Sequence, residues 1–124
     1  MNIVDSSAWL EYLADTKNAP FFAEVIENTS ELLVPSVIIY EVFKKTMKER
    51  DETAAVIAFE QMQNGKILEL DEWTAVLASK ISVEQKLGMA DSIIYAMTLI
   101  SNATLWTQDS DFANLPNVMF FPKK

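Results

Sequence analysis

Met1-Asn2-Ile3-Val4-Asp5-Ser6-Ser7 begins the chain, and Asn2 to Val4 within it reads as a short buried strand. A strand with no polar face belongs to a sheet covered on both sides. The next elements follow the same logic outward. Ser7 to about Leu13 carries Trp9, Leu10, Tyr12 and Leu13 at helical spacing, and Pro20 opens a second short helix through about Asn28. Leu32 to Val34 is an apolar run stopped by Pro35, and Ser36 is placed to N-cap a helix from Val37 to about Arg50. Asp51 caps a helix ending at Gly65, Ile67 to Leu70 is strand-like, and Asp71 caps a helix to about Leu87 with Gly88 as its C-terminal signal. Ala90 to Ser101 is apolar on nearly every side and therefore a buried helix. Thr104 to Thr107 and Val118 to Phe121 are the last strands. Short apolar strands alternating with helices predict a three-layer α/β/α sandwich around a short parallel sheet, with residues 1–124 as a single domain.

In such sheets functional groups gather beyond the carboxyl ends of the strands. Asp5 and Asp109 fall there, directly after apolar runs, and Asp91 falls in the first turn of the buried helix, where the dipole favours an anion. Acids in such places cost desolvation unless something compensates them, and a divalent cation is the simplest partner. Each acid also has an ordinary reading. Glu41 shares a helical face with Lys44, Lys45 and Lys48, so a solvated Glu41–Lys45 pair is one account of it; the lysines as a phosphate-contacting patch are the other. Asp91 alone could be an N-cap, Ser6 and Ser7 could be turn residues or bond the Asp5 carboxylate, and Asp109 with Asp111 could form an Asx-turn leading into a helical turn at Phe112.

Composition narrows the chemistry. With no cysteine among 124 residues there is no disulfide, thiolate nucleophile or thiolate metal site. With no histidine, imidazole acid–base work and His-containing zinc sites are excluded. What remains is oxygen ligands, which suit magnesium or manganese. The net charge of -8 argues against passive binding along a nucleic-acid backbone, but it leaves room for phosphate chemistry once cations are bound. No apolar run is long enough to span a membrane, and no export signal opens the chain, so a cytoplasmic protein is expected.

Taken together, Ile3-Val4-Asp5-Ser6-Ser7, Pro35-Ser36-Val37-Ile38-Ile39-Tyr40-Glu41, Ala90-Asp91-Ser92-Ile93-Ile94-Tyr95-Ala96 and Thr107-Gln108-Asp109-Ser110-Asp111-Phe112 resemble the PIN domain, and within it the VapC-type toxins of toxin–antitoxin pairs. The resemblance spans essentially the whole chain. It implies a magnesium- or manganese-dependent endoribonuclease, with Asp5, Glu41, Asp91 and Asp109 as its acidic quartet. Ser6, Ser7, Thr107 and Asp111 would stand behind them, Asp111 capping the turn at Phe112 or holding an outer water. It further implies an RNA substrate, a homodimer and a cognate antitoxin that blocks the site. Tyr40 departs from the family, which usually has Ala or Thr before this Glu. Two other classes fit part of the pattern: a catalytically silent PIN scaffold that only binds, and a receiver-like phosphoacceptor domain. The latter lacks a second acid beside Asp5 and a lysine after Thr107.

Overall fold

Each of five strands is only three or four residues long, and pairing along a common direction lets the central ones at Asn2–Val4 and Leu32–Pro35 bury nearly every side chain, while the edge strands Lys66–Leu68 and Val118–Phe120 stay partly exposed. The computed structural model describes residues 1–124. Strands β1 (Asn2–Val4), β2 (Leu32–Pro35), β3 (Lys66–Leu68), β4 (Thr104–Thr107) and β5 (Val118–Phe120) form one sheet in the order β3-β2-β1-β4-β5, and every pairing is parallel. Ile3 stands opposite Leu33 on one side and Leu105 on the other. All strand carboxyl ends therefore face one rim, with β1 at its centre. A receiver-like sheet would place β1 beside β3. Here its second neighbour is β4, so that alternative is set aside.

Helices α1 (Ser6–Ala14), α2 (Ala19–Glu27), α3 (Ser36–Glu49), α4 (Glu52–Met62), α5 (Glu72–Gln85) and α6 (Met89–Ile100) complete the α/β/α sandwich. They pack in consecutive pairs, α1 on α2, α3 on α4 and α5 on α6. Trp9, Phe22, Ile38, Ile94, Leu105 and Phe112 are wholly buried in one cluster with β1 and β2. In α6 every residue from Ser92 to Thr98 is buried. Its three hydroxyls are tolerated because Ser92 Oγ donates to Met89 O (2.8 Å), Tyr95 Oη to Pro116 O (2.8 Å) and Thr98 Oγ1 to Ile94 O (2.9 Å).

Asp51 and Asp71 cap α4 and α5 as expected, accepting from Ala54 N and Thr74 N at 2.8 Å each. Three boundary signals act differently. Ser36 lies inside the first turn of α3, because Pro35 is still extended and takes the N-cap position itself. Gly65 does not end α4, which stops at Met62; a Cβ at Gly65 would stand 2.9 Å from Val34 Cγ2 and 3.0 Å from Leu32 O, so the glycine serves a close approach to β2. Gly88 is not the C-cap of α5 either. The chain turns left-handed at Lys86 (φ 58°), early enough to return Leu87 to the core, and Gly88 is the extended N-cap of α6.

Candidate active site

At the end of β1 the chain must leave the sheet and start α1, and Asp5 serves both needs. Its Oδ1 accepts from Ser6 N (2.8 Å), capping α1. Its Oδ2 accepts from Ser7 Oγ (3.0 Å) and from Thr107 Oγ1 (2.8 Å) at the end of β4. Thr107 Oγ1 in turn accepts from Asp109 N (2.9 Å), so its one proton is committed to Asp5. Ser7 is thus no turn residue: it sits in the first turn of α1 and holds the carboxylate.

Asp109, not Asp111, caps the 3-10 turn Ser110–Phe112, accepting from Asp111 N at 2.9 Å. That bend brings Asp111 round to the same side. Asp91, in the first turn of α6 and three residues past its N-cap, completes the group: carboxylate oxygens of Asp91, Asp109 and Asp111 lie within 4.8 Å of one another. Asp5 stands behind them, almost fully buried. Glu41, in the second turn of α3, has a buried Oε1 with no hydrogen-bond partner. The Glu41–Lys45 pair does not form, because Lys45 Nζ pairs with Glu49 Oε1 (3.7 Å) while Lys44 reaches Tyr40.

These acids disturb one another. Burial pushes Asp5 above the usual carboxylate range and Asp109 adds repulsion, against the hydrogen bonds from Thr107, Ser7 and Ser6. Glu41 is raised by burial and then by Asp5 and Asp109, and the nearby Ser6 side chain lowers it only in part. Asp91 is pushed up to about 7 by burial, with Asp5, Asp109, Glu41 and Asp111 all contributing repulsion. Neither of the two ion pairs in the molecule, Met1–Glu31 and Lys45–Glu49, touches this group. An orphaned buried carboxylate oxygen, a trio of acids at common ligand spacing and no cationic side chain among them fit a hard divalent cation.

A groove of about 1050 Å³ starts beside the acids at Ser6, Glu41 and Ala90. Lys44, Lys45 and Lys48 form one wall, and Tyr40 and Met89 also line it. The expected phosphate-contacting lysines thus share one channel with Glu41.

A second buried polar group escaped the sequence reading. Gln108 Nε2 donates to Glu11 Oε1 (3.0 Å), its Oε1 accepts from Asn18 Nδ2 (2.9 Å), and Asn18 Nδ2 also reaches Pro122 O (2.9 Å). This ladder fixes the residue just ahead of Asp109. Gln108 lies 90 positions from Asn18 and 97 from Glu11, so no local pattern could have linked it to them.

The model of the PIN domain family matches residues 3–118. No curated protein matches the chain at a significant level. Several solved structures share the fold. A toxin–antitoxin complex from Klebsiella pneumoniae superposes with a TM-score of 0.81 at 19% identity, over 99% of this chain and 100% of that one. VapC20 of Mycobacterium tuberculosis, described as a Sarcin-Ricin loop cleaving toxin, gives 0.82 at 15% identity over 98% and 100%. VapBC2 of Rickettsia felis, bound to a DNA fragment from its promoter, gives 0.76 at 13% identity over 98% and 97%.

Proposed function

Because this chain belongs to the PIN domain family, we propose that it is a divalent-metal-dependent endoribonuclease and the toxin half of a toxin–antitoxin pair. The observation that carries the reading is the convergence of Asp5, Glu41, Asp91, Asp109 and Asp111 on one rim without a cationic side chain among them. Asp91, Asp109 and Asp5 would hold the ion, magnesium or manganese, with Asp111 as an additional carboxylate at the edge. A bound ion in such a site supplies a more acidic water and a clamp on a phosphoryl oxygen.

The chain's own groups do the rest. Glu41 Oε1, free of any other bond, orients the attacking water and can take its proton. The water oxygen bonds to phosphorus, the bond to the 3′ oxygen breaks with its electron pair, and that oxygen takes a proton from solvent water, so the products are a 5′-phosphate and a 3′-hydroxyl. Lys44, Lys45 and Lys48 hold flanking phosphates along the groove. Ser6, Ser7 and Thr107 keep the acids in place.

Partners follow from the same chemistry. A cognate antitoxin would place an Arg among the acids, since a guanidinium can bridge two carboxylates and supplies the missing positive charge without activating water. The Klebsiella relative, solved as a toxin–antitoxin complex, supports such a partner. A homodimer and a cytoplasmic site of action complete the proposal, and no helix is long and apolar enough to cross a membrane. Cleavage of labelled RNA in magnesium, lost on chelation and lost in Asp5→Asn, is the expected result. Intact RNA under all conditions would favour the silent scaffold.

A further inference from the structure

Two large apolar side chains are left in water at the head of the groove. Tyr40 is 55% exposed and Met89 is 78% exposed. Tyr40 stands one residue ahead of Glu41 and Met89 two ahead of Asp91, and both line the lysine-walled groove. Lys44, one turn on from Tyr40, holds its Nζ 3.3 Å from the phenol oxygen and 5.4 Å from the ring centroid. The ring is thus tethered beside a cation rather than free to sweep. Lys48 continues the row one turn further, so an aromatic face is followed by positive charges along one helix.

We propose that Tyr40, with Met89 lining the same groove, binds an unpaired nucleobase next to the phosphate held at the acids. The proposal rests on the nuclease reading and adds a specificity residue to it. Stacking on a side chain needs a base whose face is free, and bases inside a duplex have both faces covered by their neighbours. A polarisable thioether is a suitable second surface for such a ring. A nucleic acid is preferred over a protein occupant because three of the chain's ten Lys and Arg residues crowd into positions 44–48 beside Tyr40 and, with Lys123, outnumber the groove's glutamates Glu11, Glu41 and Glu49.

The test uses the full chain and a short 2′-O-methyl oligoribonucleotide, which resists cleavage, with binding read by fluorescence anisotropy. Tyr40→Ala should weaken binding about tenfold, and Tyr40→Phe should retain most of it. An abasic nucleotide moved along the oligonucleotide should weaken the wild type at one position to a similar extent. At that position it should leave Tyr40→Ala unchanged, as expected when two changes remove one contact. The melting temperature of Tyr40→Ala should equal that of the wild type, so lost folding cannot mimic the effect. Binding by Tyr40→Ala at wild-type strength, or independent losses from the ring and the base, would overturn the proposal and leave the surface to a protein partner. Cleavage of ordinary RNA is measured separately: stacking without cleavage supports the nucleobase site and sinks the nuclease reading, whereas cleavage indifferent to Tyr40 does the reverse.

Discussion

Asp91 meets repulsion from four other carboxylates, and its behaviour with pH is the most direct report on the site. Its folded pKa of about 7 lies above the ordinary 3.8, so between these values the folded chain binds a proton that the unfolded chain has released. The charge penalty is therefore complete above about pH 7 and fades as the pH falls toward 4. Without metal, the melting temperature should rise from about pH 8 to about pH 5.5, and Asp91→Asn should melt higher than the wild type at the upper pH. Asp5 and Glu41, raised in the same direction, leave some of the slope in that variant. A wild-type melting temperature that falls over this range would contradict the picture. Asp109 and Asp111 pose a different question, because both place a carboxylate oxygen within 4.8 Å of one from Asp91. Asp109 also caps the following turn and takes its register from Thr107, whereas Asp111 is exposed. Asp109→Asn should abolish cleavage, while Asp111→Asn should lose about 10 to 100-fold and recover partly in excess magnesium. Single-turnover rates across a magnesium titration decide between them.

The ends of β1 and β4 meet through Asp5 N, which donates to Trp106 O (2.9 Å), and through the Thr107 hydroxyl, which donates to Asp5 Oδ2. Thr107→Val keeps the shape of that side chain but strands the Asp109 N–H and leaves Asp5 Oδ2 with Ser7 alone. Denaturant unfolding should show a loss of about 1–3 kcal/mol, and Thr107→Ser should restore it. Cleavage should drop about 10 to 100-fold in the valine variant. This hydroxyl also marks the limit of what local sequence could reveal. Strand positions were legible because apolar runs end at Pro35 or at Asp5, and the caps at Asp51 and Asp71 because an N-cap acts within three residues. Thr107 and Ser7 as holders of Asp5 needed a contact across 102 positions in one case and a helix start one residue earlier in the other. Gly88 misled because glycine favours the left-handed turn, yet the reversal was set by where Leu87 had to be buried, and Lys86 took it. Glu41 stayed open between two readings, since helical spacing lists possible lysine partners and only the tertiary fold decides which way a carboxylate faces.

For the molecule as a whole, an excess of carboxylates means that a cation should act as a ligand of the fold. At about 100 times its dissociation constant, magnesium or manganese should add about 2.7 kcal/mol, since the unfolded chain hardly binds it. Calorimetry should show a shift that Asp91→Asn largely removes, and a full shift in that variant would take Asp91 out of the ligand set. The strand order carries one more consequence, for synthesis. β1 is made first and sits at the centre of the sheet, yet β4, one of its two partners, begins about a hundred residues later. A chain growing on the ribosome can pair β1 with β2 but cannot bring Asp109 beside Asp5 until β4 has emerged. The acidic site of each copy therefore stays incomplete until almost the whole chain has been made.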